Sequence, residues 1–136
     1  METSQTRQLI EEYYAAQAAG DRDKLASLLT EDVEWRPAET VPAEPLQGRR
    51  VVSSAVSGRG REKMFDMDTF TVTVRRKIVD GDTAVVLQAI SAKTLDGKQY
   101  DNEYGWVYTC RDGKVSLLEE YADTLHAGRV FGWIKD

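Results

Sequence analysis

Three Asp-Gly pairs constrain this chain more than any other feature. Asp80-Gly81-Asp82, Asp96-Gly97-Lys98 and Asp112-Gly113-Lys114 separate four runs rich in β-branched and aromatic residues, at residues 69–79, 83–94, 99–110 and 114–122. A tight hairpin turn needs positive φ, which glycine adopts without a Cβ clash, so Asp-Gly between such runs marks a hairpin. From Asp68 onward apolar and polar residues alternate with period two. The second half is therefore expected to be four long antiparallel strands connected as a meander.

The first half carries a different periodicity. Leu9, Ile10, Tyr13, Tyr14 and Gln17 recur at spacings of three and four, which predicts a helix over residues 3–19 with Thr3 or Ser4 as its cap. Gly20 tolerates the left-handed residue that closes a helix. Asp21 then caps a shorter helix with Leu25, Leu28 and Leu29 facing inward. Val33, Glu34 and Trp35 read as a short strand stopped by Pro37. All three prolines fall within residues 37–48, which favours an extended loop and makes this stretch the candidate flap. Residues 49–56 suggest a third helix, interrupted by Gly58 and Gly60.

Helices at one end of a chain and a meander at the other give a single α+β domain over residues 1–136, with the helices on one face of the sheet. Long strands twist, and a sheet that curls around its helices leaves a concave space. The 136 residues suffice for one self-sufficient core, and 41% apolar with 30% charged residues is an ordinary globular composition. The net charge of -5 argues against a nucleic-acid partner, which would require a concentrated basic face. The nearest basic stretch, Arg59, Arg61 and Lys63, reads either as a solvated segment or as a contact for an anionic ligand. Cys110 stands alone, so no internal disulfide or paired-thiolate metal site can form, and a reducing cytoplasm is the expected compartment. No apolar run approaches the ~18 residues of a membrane span.

Tyr13-Tyr14-Ala15-Ala16, Gly20-Asp21 and Leu28-Leu29-Thr30-Glu31-Asp32-Val33-Glu34-Trp35 resemble the opening of SnoaL-like and ketosteroid-isomerase-like domains of the nuclear transport factor 2-like superfamily. Asn102-Glu103-Tyr104-Gly105-Trp106-Val107, Arg111-Asp112-Gly113-Lys114-Val115 and Glu119-Glu120-Tyr121-Ala122-Asp123-Thr124 are similar to the closing strand pair of that family. The resemblance implies a cone-shaped, curved antiparallel sheet wrapped around the N-terminal helices, the cystatin-like fold. It also implies a pocket for a small apolar ligand and pairing into a homodimer through the outer sheet face. Tyr104, Trp106 and Tyr108 on one side of their strand and Val107 on the other fit a sheet covered on both faces.

The family's known chemistries do not carry over intact. Steroid isomerisation, as the resemblance implies, needs a carboxylate base late in the first strand, where this chain has Trp35 or Arg36; a guanidinium cannot serve as that base. Its acidic oxyanion donor falls near Gly105 or Trp106. The epoxide-hydrolase pattern needs Arg-x-Asp on the middle strand, which here reads Leu87-Gln88-Ala89-Ile90-Ser91-Ala92. What remains is Glu120, at a position where hydrolases and SnoaL-type cyclases place an acid or base. Strand alternation puts Ser116, Leu118 and Glu120 on one face and Val115, Leu117, Glu119 and Tyr121 on the other, so only one of the two glutamates faces a pocket.

The candidate catalytic set is Glu120 as acid/base, with Tyr14 and Asn102 holding a ligand oxygen. Each has a bland alternative: a surface or interface ion pair for Glu120, core packing for Tyr14 and a backbone-bonding strand end for Asn102. Trp35, Phe65, Tyr104, Trp106, Leu118 and His126 are the expected substrate-binding residues; Met64 and Met67 line pocket or core. Asp123 reads as the cap of a short final helix. Two functions stay open. One is a cofactor-independent isomerase, cyclase or dehydratase acting on a polycyclic or polyketide-like molecule. The other is a non-catalytic ligand-binding or dimerisation domain, with a protein-transport adaptor as a third class.

Overall fold

A computed structural model describes residues 1–41 and 61–135 of the chain. The element order is α1 (Thr3–Ala19), α2 (Arg22–Ser27), β1 (Leu29–Pro37), β2 (Phe65–Asp80), β3 (Thr83–Thr94), β4 (Gln99–Arg111), β5 (Lys114–Ala122) and α3 (Thr124–Val130), with a 3₁₀ turn at Arg61–Lys63 before β2. The sheet order is β1-β5-β4-β3-β2. β2 to β5 form the expected antiparallel meander, and Gly81, Gly97 and Gly113 take φ of 60°, 86° and 78° in its turns. The sheet as a whole is mixed, because β1 runs parallel to β5 along its free edge.

Local chemistry accounts for the helix ends. Gly20 closes α1 in the left-handed conformation at φ 66°, and the Asp21 carboxylate accepts from the Lys24 amide at 3.0 Å to start α2. The cap of α1 is Glu2, not Thr3 or Ser4: its amide donates to Gln5 Oε1 at 3.0 Å. Thr3 is engaged elsewhere, its hydroxyl accepting from the Gly81 amide at 2.9 Å and tying the helix to the β2–β3 turn.

Three strand expectations need correction. β1 spans nine residues instead of three, because it begins directly after α2, where the Val115 amide donates to the Leu28 carbonyl at 2.8 Å. β2 begins at Phe65, which pairs with Thr94 before a bulge separates it from the regular register at Thr71. Val115 faces inward and is fully buried, not aligned with Glu119. A register shift opposite Thr109 and Cys110 inserts Ser116 as the extra residue and reverses the alternation before it. Of the expected flap at residues 37–48, Pro37 ends β1 and residues 42–48 lie outside the described residues, as do the expected third helix at 49–56 and Arg59.

The apolar interior forms two clusters. Leu9, Ile10, Tyr13 and Tyr14 of α1 pack on Val33, Val86, Tyr108 and Val115. Phe65, Ile90, Ala92, Tyr100 and Ala127 form the second, flanked by Phe70, Phe131 and Trp133. Residues of both clusters wall one cavity, so the concave side of the sheet is hollow between them. On the opposite face Ile78, Leu87 and Tyr121 remain exposed.

Candidate functional site

The cavity has a volume of about 370 Å³, within the range that encloses a small organic ligand. Its walls are mostly aromatic and aliphatic: Trp35, Phe65, Trp106, Leu118, Phe131 and Trp133 all line it. Alternation along β4 stacks Tyr104, Trp106 and Tyr108 as a ladder on the inner face, with successive ring centroids 6.2 Å apart and planes within 9° and 18° of parallel.

Glu120 projects from β5 into this apolar space, while Glu119 points to the other face. It pairs with Trp106 on β4 and with Pro37 on β1, two residues beyond Trp35. That register brings the Trp35 indole N–H to Glu120 Oε2 at 2.6 Å. Burial pushes the Glu120 carboxyl up to about 6; the Trp35 hydrogen bond and the charge of Arg61 pull it down, but less. A carboxyl held there exchanges protons near neutral pH in either direction.

A second polar group lies near it. The Tyr104 and Tyr100 hydroxyls are 2.5 Å apart. Asn102 Nδ2 donates to the Tyr100 hydroxyl at 2.7 Å and to the Asp123 carbonyl at 3.0 Å, and Asn102 Oδ1 accepts from the Asp123 amide at 3.2 Å. Asn102 can only donate to Tyr100, which favours Tyr100 donating onward to Tyr104 and leaves the Tyr104 proton for the cavity. Burial, with Tyr100 and Glu120 nearby, raises the Tyr104 phenol far above its ordinary range, so it stays a neutral donor. On the facing side Tyr14 donates to Gln88 Oε1 at 2.7 Å and lies 2.6 Å from the Tyr108 hydroxyl. With its oxygen so engaged, Gln88, which lines the cavity, keeps its amide N–H groups without a partner among the described residues.

Trp35, Phe65, Tyr104, Trp106, Leu118 and Glu120 of the expected site therefore share one cavity wall. Tyr14, Asn102 and His126 do not line it. The Tyr14 hydroxyl is consumed by Gln88 and Tyr108 in the layer behind, and Asn102 clamps β4 to the start of α3. His126 stacks flat on Tyr100, centroids 5.4 Å apart, because Asp123 caps α3 by accepting from the His126 amide and turns that ring against β4. The sequence reading passed over Gln88, Tyr100, Phe131 and Trp133. Tyr100 carried a signal, since it shares the inner face with Asn102 and Tyr104; Phe131 and Trp133, beyond a short helix, carried none.

Comparisons with known proteins agree with this architecture. The SnoaL-like domain family matches residues 10–118. Among solved structures, an NTF2-like protein from Burkholderia thailandensis is similar at 19% identity and a TM-score of 0.78, covering 96% of this chain and 98% of that one. TerC, co-crystallised with polyporic acid, is similar at 21% identity and a TM-score of 0.76, covering 94% and 98%. IdmH from Streptomyces antibioticus, a candidate polyketide cyclase, is similar at 19% identity and a TM-score of 0.72, covering 93% and 98%. At these identities the likeness establishes the fold. No curated protein matches the sequence. Among the described residues no helix is long and apolar enough to cross a membrane.

Proposed function

This chain belongs to the SnoaL-like domain family, and from that premise we propose that it is an acid/base enzyme acting without a cofactor on an apolar ring compound bearing a carbonyl. The observation that carries the proposal is Glu120: a carboxyl raised to about 6, held by Trp35 and facing an apolar cavity. As carboxylate, Glu120 removes a proton from the carbon beside the carbonyl. The electron pair moves onto the carbonyl oxygen, which the Tyr104 hydroxyl and the Gln88 amide stabilise by donating to it. Glu120 then returns the proton at another carbon, giving an isomer. In a cyclisation the enolate carbon instead attacks a second carbonyl carbon of the same molecule, and the proton goes to the new alkoxide oxygen. The polyporic acid complex of TerC and the cyclase role suggested for IdmH support a ring-bearing substrate class. In this proposal Tyr14 and Asn102 act as positioning residues behind Gln88 and Tyr100.

The test is the titration of Glu120. Its carboxyl-carbon resonance is expected to titrate near 6, and a midpoint in the ordinary glutamate range removes the acid/base role. Stability should follow the same group. A folded-state pKa raised from 4.5 to about 6 makes a contribution of about 2 kcal/mol, present in full below 4.5 and lost as pH rises through 6. Glu120→Gln removes the titration while retaining an acceptor for Trp35. Urea unfolding at pH 4 and pH 8 should show the wild type losing about 2 kcal/mol relative to the variant at the higher pH.

Homodimerisation through the outer sheet face is part of the same proposal. Ile78, Val85 and Val107 form a continuous row across β2, β3 and β4, with Leu87 and Tyr121 beside it. Leu87 is 38% and Tyr121 53% exposed in the single chain, an apolar strip suited to a second copy. Sedimentation equilibrium is expected to give twice the chain mass, with Leu87→Glu returning it to one; a wild-type monomer at high concentration removes the dimer. A cytoplasmic location, suggested by the lone thiol of Cys110, belongs to the proposal as well.

A further inference from the structure

We infer that Arg61 is an anion anchor within the cavity, so that the ligand is an aromatic acid, with a carboxylate or ionised enol held by Arg61 and its carbonyl-bearing end at Glu120. The inference rests on the proposed ligand pocket and adds the charge of what fills it.

The 3₁₀ turn divides its charged side chains between solvent and interior. Glu62 pairs with Arg22 of α2 at the surface and Lys63 is exposed, whereas Arg61 turns inward and lines the cavity. Its guanidinium carbon lies 4.9 Å from the centroid of the Phe70 ring. With the Gln17 amide oriented to satisfy both groups, the Gln17 oxygen accepts from both Nη atoms at 3.2 Å. These partners are neutral. Among the described residues no carboxylate forms an ion pair with Arg61, and Glu120, in the same cavity, is committed to Trp35.

A guanidinium cannot discharge by losing a proton, and a cation on a largely apolar wall is normally balanced by an anion. Its field reaches the site: burial holds Tyr13, Tyr14, Tyr104, Tyr108 and Glu120 above their ordinary values, and the Arg61 charge offsets a smaller part of each shift. The planar fork suits a carboxylate, or an enolate beside a ketone, through paired N–H donors. Flat aromatic walls from Trp106, Phe70 and Tyr104 suit the rest of such a molecule. With a neutral hydrocarbon ligand the guanidinium would keep only the Gln17 oxygen, the Phe70 ring and the field of the Glu120 carboxylate, which is already hydrogen-bonded to Trp35.

The probes are 2-naphthoate and 2-naphthamide, equal in shape and different in charge, titrated by calorimetry and tryptophan quenching at pH 7 against wild type, Arg61→Gln and Arg61→Lys. The wild type is expected to bind the naphthoate ~10-fold tighter than the amide, as a charge-assisted pair allows. Arg61→Gln should abolish that preference while holding naphthamide affinity within about twofold, and Arg61→Lys should retain part of it. Equal wild-type affinity for the two probes, or an unchanged preference in Arg61→Gln, overturns the anchor and leaves the pocket reading intact. Failure of both probes to bind overturns the anchor and the pocket reading together.

Discussion

Glu120→Gln is expected to slow deuterium exchange at the carbon beside the carbonyl of 2-tetralone by ~10²–10⁴-fold relative to wild type, the usual worth of a positioned acid or base. The variant preserves the acceptor for the Trp35 indole and nearly the same volume, so the cavity stays formed and only the proton-transfer step is lost. The wild-type rate above buffer should rise through pH 6, as the carboxylate form of Glu120 accumulates, and level off above it. Proton NMR in deuterated buffer measures both. A wild type that binds 2-tetralone without accelerating exchange would establish the non-catalytic reading, in which the pocket is retained for binding alone.

Tyr108→Ala is expected to cost ~3–5 kcal/mol, the range for truncating a large buried ring, and to lower Tm by ~10–20 °C. Tyr108 is 2% exposed and packs against Tyr13, Tyr14 and Trp106, with centroids 5.4, 6.1 and 6.2 Å away. It is thus the contact at which α1 meets the inner face of β4. Tyr108→Phe keeps the ring and removes one hydroxyl; because Tyr14 still donates to Gln88, the cost should be about 1 kcal/mol. Chemical and thermal unfolding of the pair separate packing from hydrogen bonding. Equal losses in the two variants would place the stability in the hydroxyl network instead of the ring contacts.

The Tyr14, Gln88 and Tyr108 triad explains why part of the site was hidden from sequence. Tyr14 has the right residue type and the right helix face for a ligand contact, and the inward stripe of α1 was read correctly. Its hydroxyl partners, however, are 74 and 94 residues away, and their positions follow from how the sheet curls back over α1. Asn102 repeats the case: its face was legible, yet its bonds to Asp123, 21 residues on, depend on α3 folding back against β4. Gln88 was passed over because an uncharged residue in an apolar strand carries no chemical signal until its neighbours are known. Glu120 was legible only in part: alternation over the last residues of β5 puts it and Glu119 on opposite faces, and only the tertiary structure decides that Glu120 is the one on the cavity wall.

Residue order was enough for whatever depends on a few adjacent residues: the Asp-Gly hairpins, the Gly20 and Asp21 boundary between the first helices, the Asp123 cap, and the period-two runs that make the meander. Backbone sterics and side-chain capping act within a turn of chain, so residue type and spacing suffice. The tertiary structure alone decided the parallel docking of β1 on β5, the bulge that buries Val115, the inward turn of Arg61 and the separation of the interior into two clusters around a cavity. Those outcomes come from competition between distant segments for the same buried surface and the same hydrogen-bond partners, and no local pattern encodes which segment wins.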